Sequence, residues 1–329
     1  MAVLVSACGQ PATSLPANTL GVVKVSAAPQ IDAVVDAAWA KAQAVKVPVS
    51  GGANNGSTTV EIKALYTTDT VYFLAQWADP TESTRRSPWQ KQADGTWKKI
   101  SDPNDKGGDN NLVYEDKVSF IWNINNSISG FNEQGCMVTC HPGEGKPFGN
   151  MYTANAGETG DIWHWKSVRT GPNGQIDDQF LDSTRYDAAK TPEAGRKSDP
   201  KTGGGYVDNL TADKTLPQFA LPGNKPAPPY WILDSEKVAF DGSKYAAGQE
   251  VPGIIVAPFT GDRGDITAKS VYKDGKYTLE WSRKLKTGSQ YDVQFDSLDV
   301  GYAFGVATFD NASVRHAFSG GVYKLTFVK

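Results

Sequence analysis

The feature that most constrains this chain is the dipeptide Asp274-Gly275, set between two segments whose side chains alternate. Thr267 to Lys273 precedes it; Tyr277, Leu279 and Trp281 follow, interleaved with Thr278, Glu280 and Ser282. Asp-Gly supplies the positive φ angles of a two-residue hairpin turn, so the pair predicts two antiparallel strands. The same period of two recurs elsewhere. Val71, Phe73, Ala75 and Trp77 alternate with Tyr72, Leu74 and Gln76. Val118, Phe120 and Trp122 repeat the pattern, and Tyr302–Phe309 and Val322–Val328 add two more strands. Only Asp32–Ala42 carries a weak helical pattern. Short alternating strands at both ends of the chain predict an all-β fold, an antiparallel β-sandwich with long loop insertions and few short helices. Between residues 170 and 253 Gly, Pro, Asp and Lys dominate. A long stretch with few alternating segments reads as a loop-rich insertion over one end of the sandwich. Residues 21–329 are then one domain.

Charge and hydropathy exclude several classes. The net charge is −3 and no basic cluster stands out, so no nucleic-acid footprint is present. No apolar run after Cys8 approaches the length of a membrane helix. Before it, Met1-Ala2-Val3-Leu4-Val5-Ser6-Ala7-Cys8 reads as the end of a signal peptide with a lipid-attachment cysteine. Residues 1–7 are then a residual signal peptide and residues 8–20 a lipid-anchored tether. This predicts an exported bacterial lipoprotein on the periplasmic side of a membrane or at the cell surface. A plain cysteine in a flexible tail is the other reading of Cys8.

Cys136 and Cys140, with His141 directly after, carry the most specific chemistry. Two thiols can add to the vinyl groups of haem while the next imidazole reaches the iron. The usual c-type spacing has two residues between the cysteines, and here there are three. A disulfide between Cys136 and Cys140 is the competing reading. If Cys8 bears lipid, the chain's three cysteines are all accounted for. The three histidines are His141, His164 and His316. His164 lies between Trp163 and Trp165 on an expected strand, so it faces away from both; it then lines the haem edge or faces solvent, and the tryptophans, if not core, shield the porphyrin. Asp177, Asp178 and Asp265 offer the hard oxygens calcium takes, although solvated loop charge is the preferred account. No acid–base pair stands out, Gly203-Gly204-Gly205 lacks the setting of a phosphate loop, and no Gly-x-Ser-x-Gly elbow occurs.

Several segments together carry a resemblance. Gln30 to Trp39, Lys63-Ala64-Leu65-Tyr66, Trp77 to Glu82, Asp161 to Lys166 and Phe304 to Asn311 follow in an order similar to the haem-binding domain of ethylbenzene dehydrogenase-related proteins. The match runs from about Val22 to the C-terminus. The resemblance implies a DOMON-like sandwich with one haem at its end, working in electron transfer. In molybdenum oxidoreductases such subunits hold b-type haem through a methionine and a lysine. Here the Cys-x-x-x-Cys-His element favours covalent haem c. His141 is then the proximal ligand. The family lysine falls near His316, the expected distal ligand, and the family methionine near Met151, the alternative. The expected function is that of a monohaem c-type cytochrome, a one-electron carrier and not an enzyme. Its partners are other redox proteins, a membrane reached through the lipid anchor, and the subunits of a larger electron-transfer complex. A b-type haem subunit and a haem-free carbohydrate-binding sandwich are the alternatives.

Overall fold

The computed structural model describes residues 15–103, 112–139 and 151–328. Among them thirteen strands form one sheet. These are β1 Thr19–Lys24, β2 Val45–Val49, β3 Thr58–Tyr66, β4 Thr70–Ala78, β5 Lys117–Asn123, β6 Gly160–Lys166 and β7 Asp177–Leu181. The others are β8 Arg196–Ser198, β9 Thr267–Lys273, β10 Lys276–Lys284, β11 Tyr302–Phe309, β12 Ala317–Phe318 and β13 Tyr323–Val328. The lateral order is β8-β7-β6-β5-β11-β13-β1-β3-β4-β10-β9, with β2 added to β3 and β12 to β11. The expected hairpin is present, β9 and β10 pairing from Thr267↔Ser282 to Lys273↔Lys276 around Asp274-Gly275.

The sheet closes on itself as a sandwich around an aromatic layer. From β4, Phe73 stacks on Trp281 of neighbouring β10 at 5.0 Å and meets Trp163 of β6 at 5.5 Å. Phe120 of β5 lies 4.9 Å from Trp281, and Trp77 lies 6.0 Å from Trp165. Seven of the nine tryptophans are buried, and Trp97 and Trp231 are half-buried. Each inward aromatic side chain removes a large apolar area from water, and their contacts hold the two halves together.

Three details differ from the sequence expectation. First, the sandwich is not wholly antiparallel. β1 runs parallel to both β13 and β3. A parallel neighbour needs a long connection, which the chain through β2 provides for β3. Second, the segment Asp32–Ala42 contains only a single 3-10 stretch, Ala37–Lys41. Asp36 caps it, accepting from the Ala38 N–H at 2.7 Å, and Trp39 is buried. Third, residues 170–253 are not bare loop. They supply β7 and β8, which extend the main sheet at one edge, and several shorter paired strands, such as Gly203–Asp208 against Ile254–Thr260.

Glu280 on the outer side of β10 anchors the N-terminal segment. Its buried carboxylate accepts from the N–H groups of Asp32 at 3.0 Å and Ala33 at 2.7 Å, and from Trp39 Nε1 at 2.7 Å. Burial raises its pKa from the usual carboxylate range, against the pull of those donors. Removing the acceptor strands donors that have been withdrawn from water. Glu280→Ala should therefore cost about 2 kcal/mol or more of stability, read as a lower urea midpoint with red-shifted tryptophan emission as Trp39 leaves its site. An unchanged midpoint would show that the segment does not depend on this carboxylate.

Candidate functional site

The inward tryptophans decide what the other side of β5, β6, β7 and β11 presents. Val118, Phe120, Trp122, Trp163 and Trp165 belong to the core. Successive side chains on a strand alternate between faces, so their neighbours turn outward. The pairing sets these neighbours in rows. Gly305 of β11 lies across from Ile121, then Ile162, then Gln179. Ala307 is followed by Ser119, His164 and Asp177, and Phe309 by Lys117 and Lys166. Gly305, Ala307 and Ser119 leave little side chain in the middle of this outer face.

Cys136 is seated on that face. It begins the 3-10 turn Cys136–Val138, directly after Gly135, whose φ of 78° favours glycine. A Cβ on Gly305 would lie 2.7 Å from both Cβ and Sγ of Cys136, so only glycine on β11 lets this cysteine come so close. Cys136 is buried with Ile121, Ile128, Phe131, Ile162, Leu181 and Ala303, and Met151 packs against the same cluster. His316 stands at the other end of the face, in the residue before β12. Its ring lies 5.2 Å from Phe309 and 6.0 Å from Phe318. Four residues separate Gly305 from Phe309, about 13 Å along the strand. Three of the expected site residues, Cys136, Met151 and His316, thus share one face. Cys8, Cys140 and His141 lie outside the described residues.

His164 occupies the middle of the face, and its environment was not foreseen. It does not face solvent: it is 7% exposed. Its Nδ1 is 3.3 Å from Gln179 Oε1, its ring stacks on Phe309 at 5.5 Å, and its buried Nε2 has no hydrogen-bond partner. Burial, then the charges of Lys166, Lys117, Arg196 and Arg169, hold its pKa well below the ordinary histidine value. The imidazole is therefore neutral near pH 7, the form that ligates metals. Lys117 was also missed, although alternation with Val118 would have placed it outward. It is buried, donates from Nζ to Ser313 O at 2.9 Å, and sits 3.9 Å over the Phe309 ring. Burial and then the charge of Arg169 depress its pKa well below the ordinary lysine value.

Other expectations change. Trp163 and Trp165 point into the core, the commoner of their two readings, which leaves no porphyrin-shielding role for them on the outer face. Asp177 and Asp178 are not solvated loop charge, since both lie buried on β7. Asp177 pairs with Lys166, with Arg263 Nε at 2.6 Å and with the Tyr206 hydroxyl at 3.0 Å. Burial alone would raise its pKa, but Lys166 and Arg263 bring it down to about 2. With its oxygens engaged, Asp177 is a poor calcium ligand. Asp178 turns to the opposite face, and Asp265 is exposed.

Comparison with curated proteins finds no match. Among solved structures, a family 9 carbohydrate-binding module from Caldicellulosiruptor kristjanssonii in complex with glucose aligns at 10% identity. It covers 94% of this chain and 96% of its own, with a TM-score of 0.31. The same module with cellotriose gives 10% identity, coverage of 94% and 95%, and a TM-score of 0.34. A Bacteroides uniformis protein provisionally described as carbohydrate-binding gives 9% identity, coverage of 94% and 99%, and a TM-score of 0.39. The sequence itself is more specific. Residues 36–319 match the model of the ethylbenzene dehydrogenase family, and the chain belongs to that family.

Proposed function

We propose that this chain is an exported electron-transfer protein that holds one haem c covalently on the outer face of β5, β6, β7 and β11. The observation that carries this reading is the seating of Cys136 against Gly305, in an apolar cluster shared with Met151 and on the face that also bears His316. The residues fit such a group. Gly305, Ala307 and Ser119 keep the floor low, Ile121 and Ile162 make it apolar, and the His164 Nε2 is a buried nitrogen without a partner. Cys136 and Cys140 would hold haem covalently, His141 would be the first iron ligand and His316 the second. When bound, the iron supplies one-electron exchange, and two protein ligands leave no open position for a substrate. The apolar cluster keeps water from one side. Lipid on Cys8 would keep the carrier at a membrane, beside redox proteins or as one subunit of a complex.

A second reading of the iron's partner is favoured by one observation. His164, not His316, has a ring nitrogen with no partner, and both rings flank Phe309. A carbohydrate-binding reading needs exposed aromatic rings for sugar stacking, and the tryptophans are mostly core. The b-type haem alternative keeps the same face and drops only the covalent bonds.

Haem staining after a denaturing gel is the deciding experiment. The wild-type band should stain, and Cys136→Ser with Cys140→Ser should abolish the stain. Loss of colour from the wild-type band on denaturation would establish the b-type alternative, and a colourless native protein would end both haem readings.

The ligand assignment is read from spectra. His316→Ala should open the iron to carbon monoxide and turn it high-spin while covalent haem remains, and Met151→Ala should change nothing. If His164→Ala has that effect and His316→Ala does not, the second ligand is the strand histidine.

Anchoring is checked by fractionation. Cys8→Ser should move the protein from membrane to soluble fractions, since no helix among the described residues is long and apolar enough to span a bilayer. Retention after a high-salt wash would refute lipid anchoring.

A further inference from the structure

On the inner side of β6 and β7, back to back with the histidine face, lies a group of buried carboxylates that the proposed electron carrier does not use. Asp161 comes from β6, Asp178 from β7 and Asp292 from the connection between β10 and β11. Each offers one oxygen, and these oxygens lie within 4.8 Å of one another. Asp199, just past β8, donates its N–H to Asp178 O at 3.2 Å. None is more than 3% exposed.

Their hydrogen bonds account for only part of them. Asp161 Oδ2 accepts from Val293 N at 2.9 Å and from Arg283 Nη1 at 3.0 Å, and Asp178 Oδ1 accepts from Gln179 N at 3.1 Å. Asp161 Oδ1, Asp178 Oδ2 and both oxygens of Asp199 and Asp292 remain buried without a donor. The nearby cation is Arg283. Its Nη1 is taken by Asp161, its Nη2 donates to Val293 O, and Nη2 stays 3.8 Å from Asp292 Oδ2. Four carboxylates against one guanidinium leave a strong excess of buried negative charge. Buried charge is expected to be paired, to be neutralised or to coordinate a metal.

We propose that Asp161, Asp178, Asp199 and Asp292 bind one calcium ion. The donors are all hard oxygens, the chemistry of calcium or magnesium and not of a soft metal. Carboxylates gathered from separate segments make an all-protein oxygen shell, which calcium takes more readily than magnesium, an ion that usually keeps several of its waters. Asp265, exposed and next to Asp178, stands at the solvent edge of the group. Without a cation the competitor is the proton: burial above all, with the neighbouring carboxylates, pushes Asp199 up to about 9. The second acidic group, Asp79, Asp116 and Asp310, lacks this character, because Asp116 accepts from Ser83 N, Asn311 N and the Tyr277 hydroxyl. An ion at the first group would tie β6 and β7 to the chain after β8 and to the connection before β11.

The test uses the full chain, stripped with EGTA and desalted, and does not depend on haem. Isothermal titration with calcium chloride should give one site per chain. At calcium a hundredfold above its dissociation constant, the unfolding midpoint should rise by about 5 °C. Magnesium at the same concentration should give little rise, and an equal rise would overturn the calcium assignment. Asp292→Asn, nearly isosteric, should abolish both binding and the calcium-dependent rise. Its midpoint in EGTA should be no lower than that of the wild type, since a repelling charge is gone. Asp310→Asn should leave the calcium response intact. Absence of binding in the wild type, or its survival in Asp292→Asn, would overturn the proposal and leave a cluster held together by shared protons. Should Asp292→Asn fail to fold, terbium titrated into the wild type decides. Emission sensitised through Trp163, which pairs with Asp178 across the strands, should appear and be displaced by calcium; its absence would overturn the assignment.

Discussion

The phase of the pleat on β6 is the constraint on which the rest of this structure depends. Trp163 and Trp165 are too large and apolar to face water, and Phe73, Trp77 and Trp281 receive them inside. Once they point inward, Ile162, His164 and Lys166 have to point outward, and Asp161 has to join the core side. A slip of one residue would exchange the faces completely. Burying the indoles therefore fixes, at no further cost, which face carries the imidazole and which the carboxylate.

That logic explains what was legible in the sequence. Alternation gave β4, β5, β10 and β11 to within a residue or two, and Asp274-Gly275 gave the register of a hairpin. The outward direction of His164 followed from its two tryptophan neighbours. Its burial did not, because what packs on it comes from Gln179 and Phe309, on other strands. β7 was missed for a related reason. Asp177-Asp178-Gln179 reads as a polar loop, since the partners that make burial tolerable, Lys166 and Arg263, are visible only after folding. The cysteine spacing and the family resemblance singled out Cys136, Met151 and His316; that they share one face is visible only in the fold. The role of Gly305 was not legible, because a glycine's meaning lies in the side chain it lets approach.

The two sides of β6 and β7 differ sharply in charge. Outside, Lys117, Lys166, Arg169 and Arg196 surround a neutral imidazole. Inside, carboxylates crowd around Arg283. On each side the compensation is local: Lys166 lies against Asp177 outside, and Arg283 against Asp161 and Asp292 inside.

The parallel seat of β1 has a consequence for how the chain reaches this state. β1 lies between β13 and β3, and Thr19 is paired with Lys324, roughly three hundred positions away. The first strand of the sheet cannot be flanked on both sides until the last has been made. Pairings so distant in sequence carry a large loop-closure entropy and slow the search for the native state. The unclosed sheet keeps the edges of β1 and β11 exposed while synthesis continues, which makes this intermediate the point of greatest risk of aggregation. Closure by β13 then acts as a late, single commitment of the whole fold.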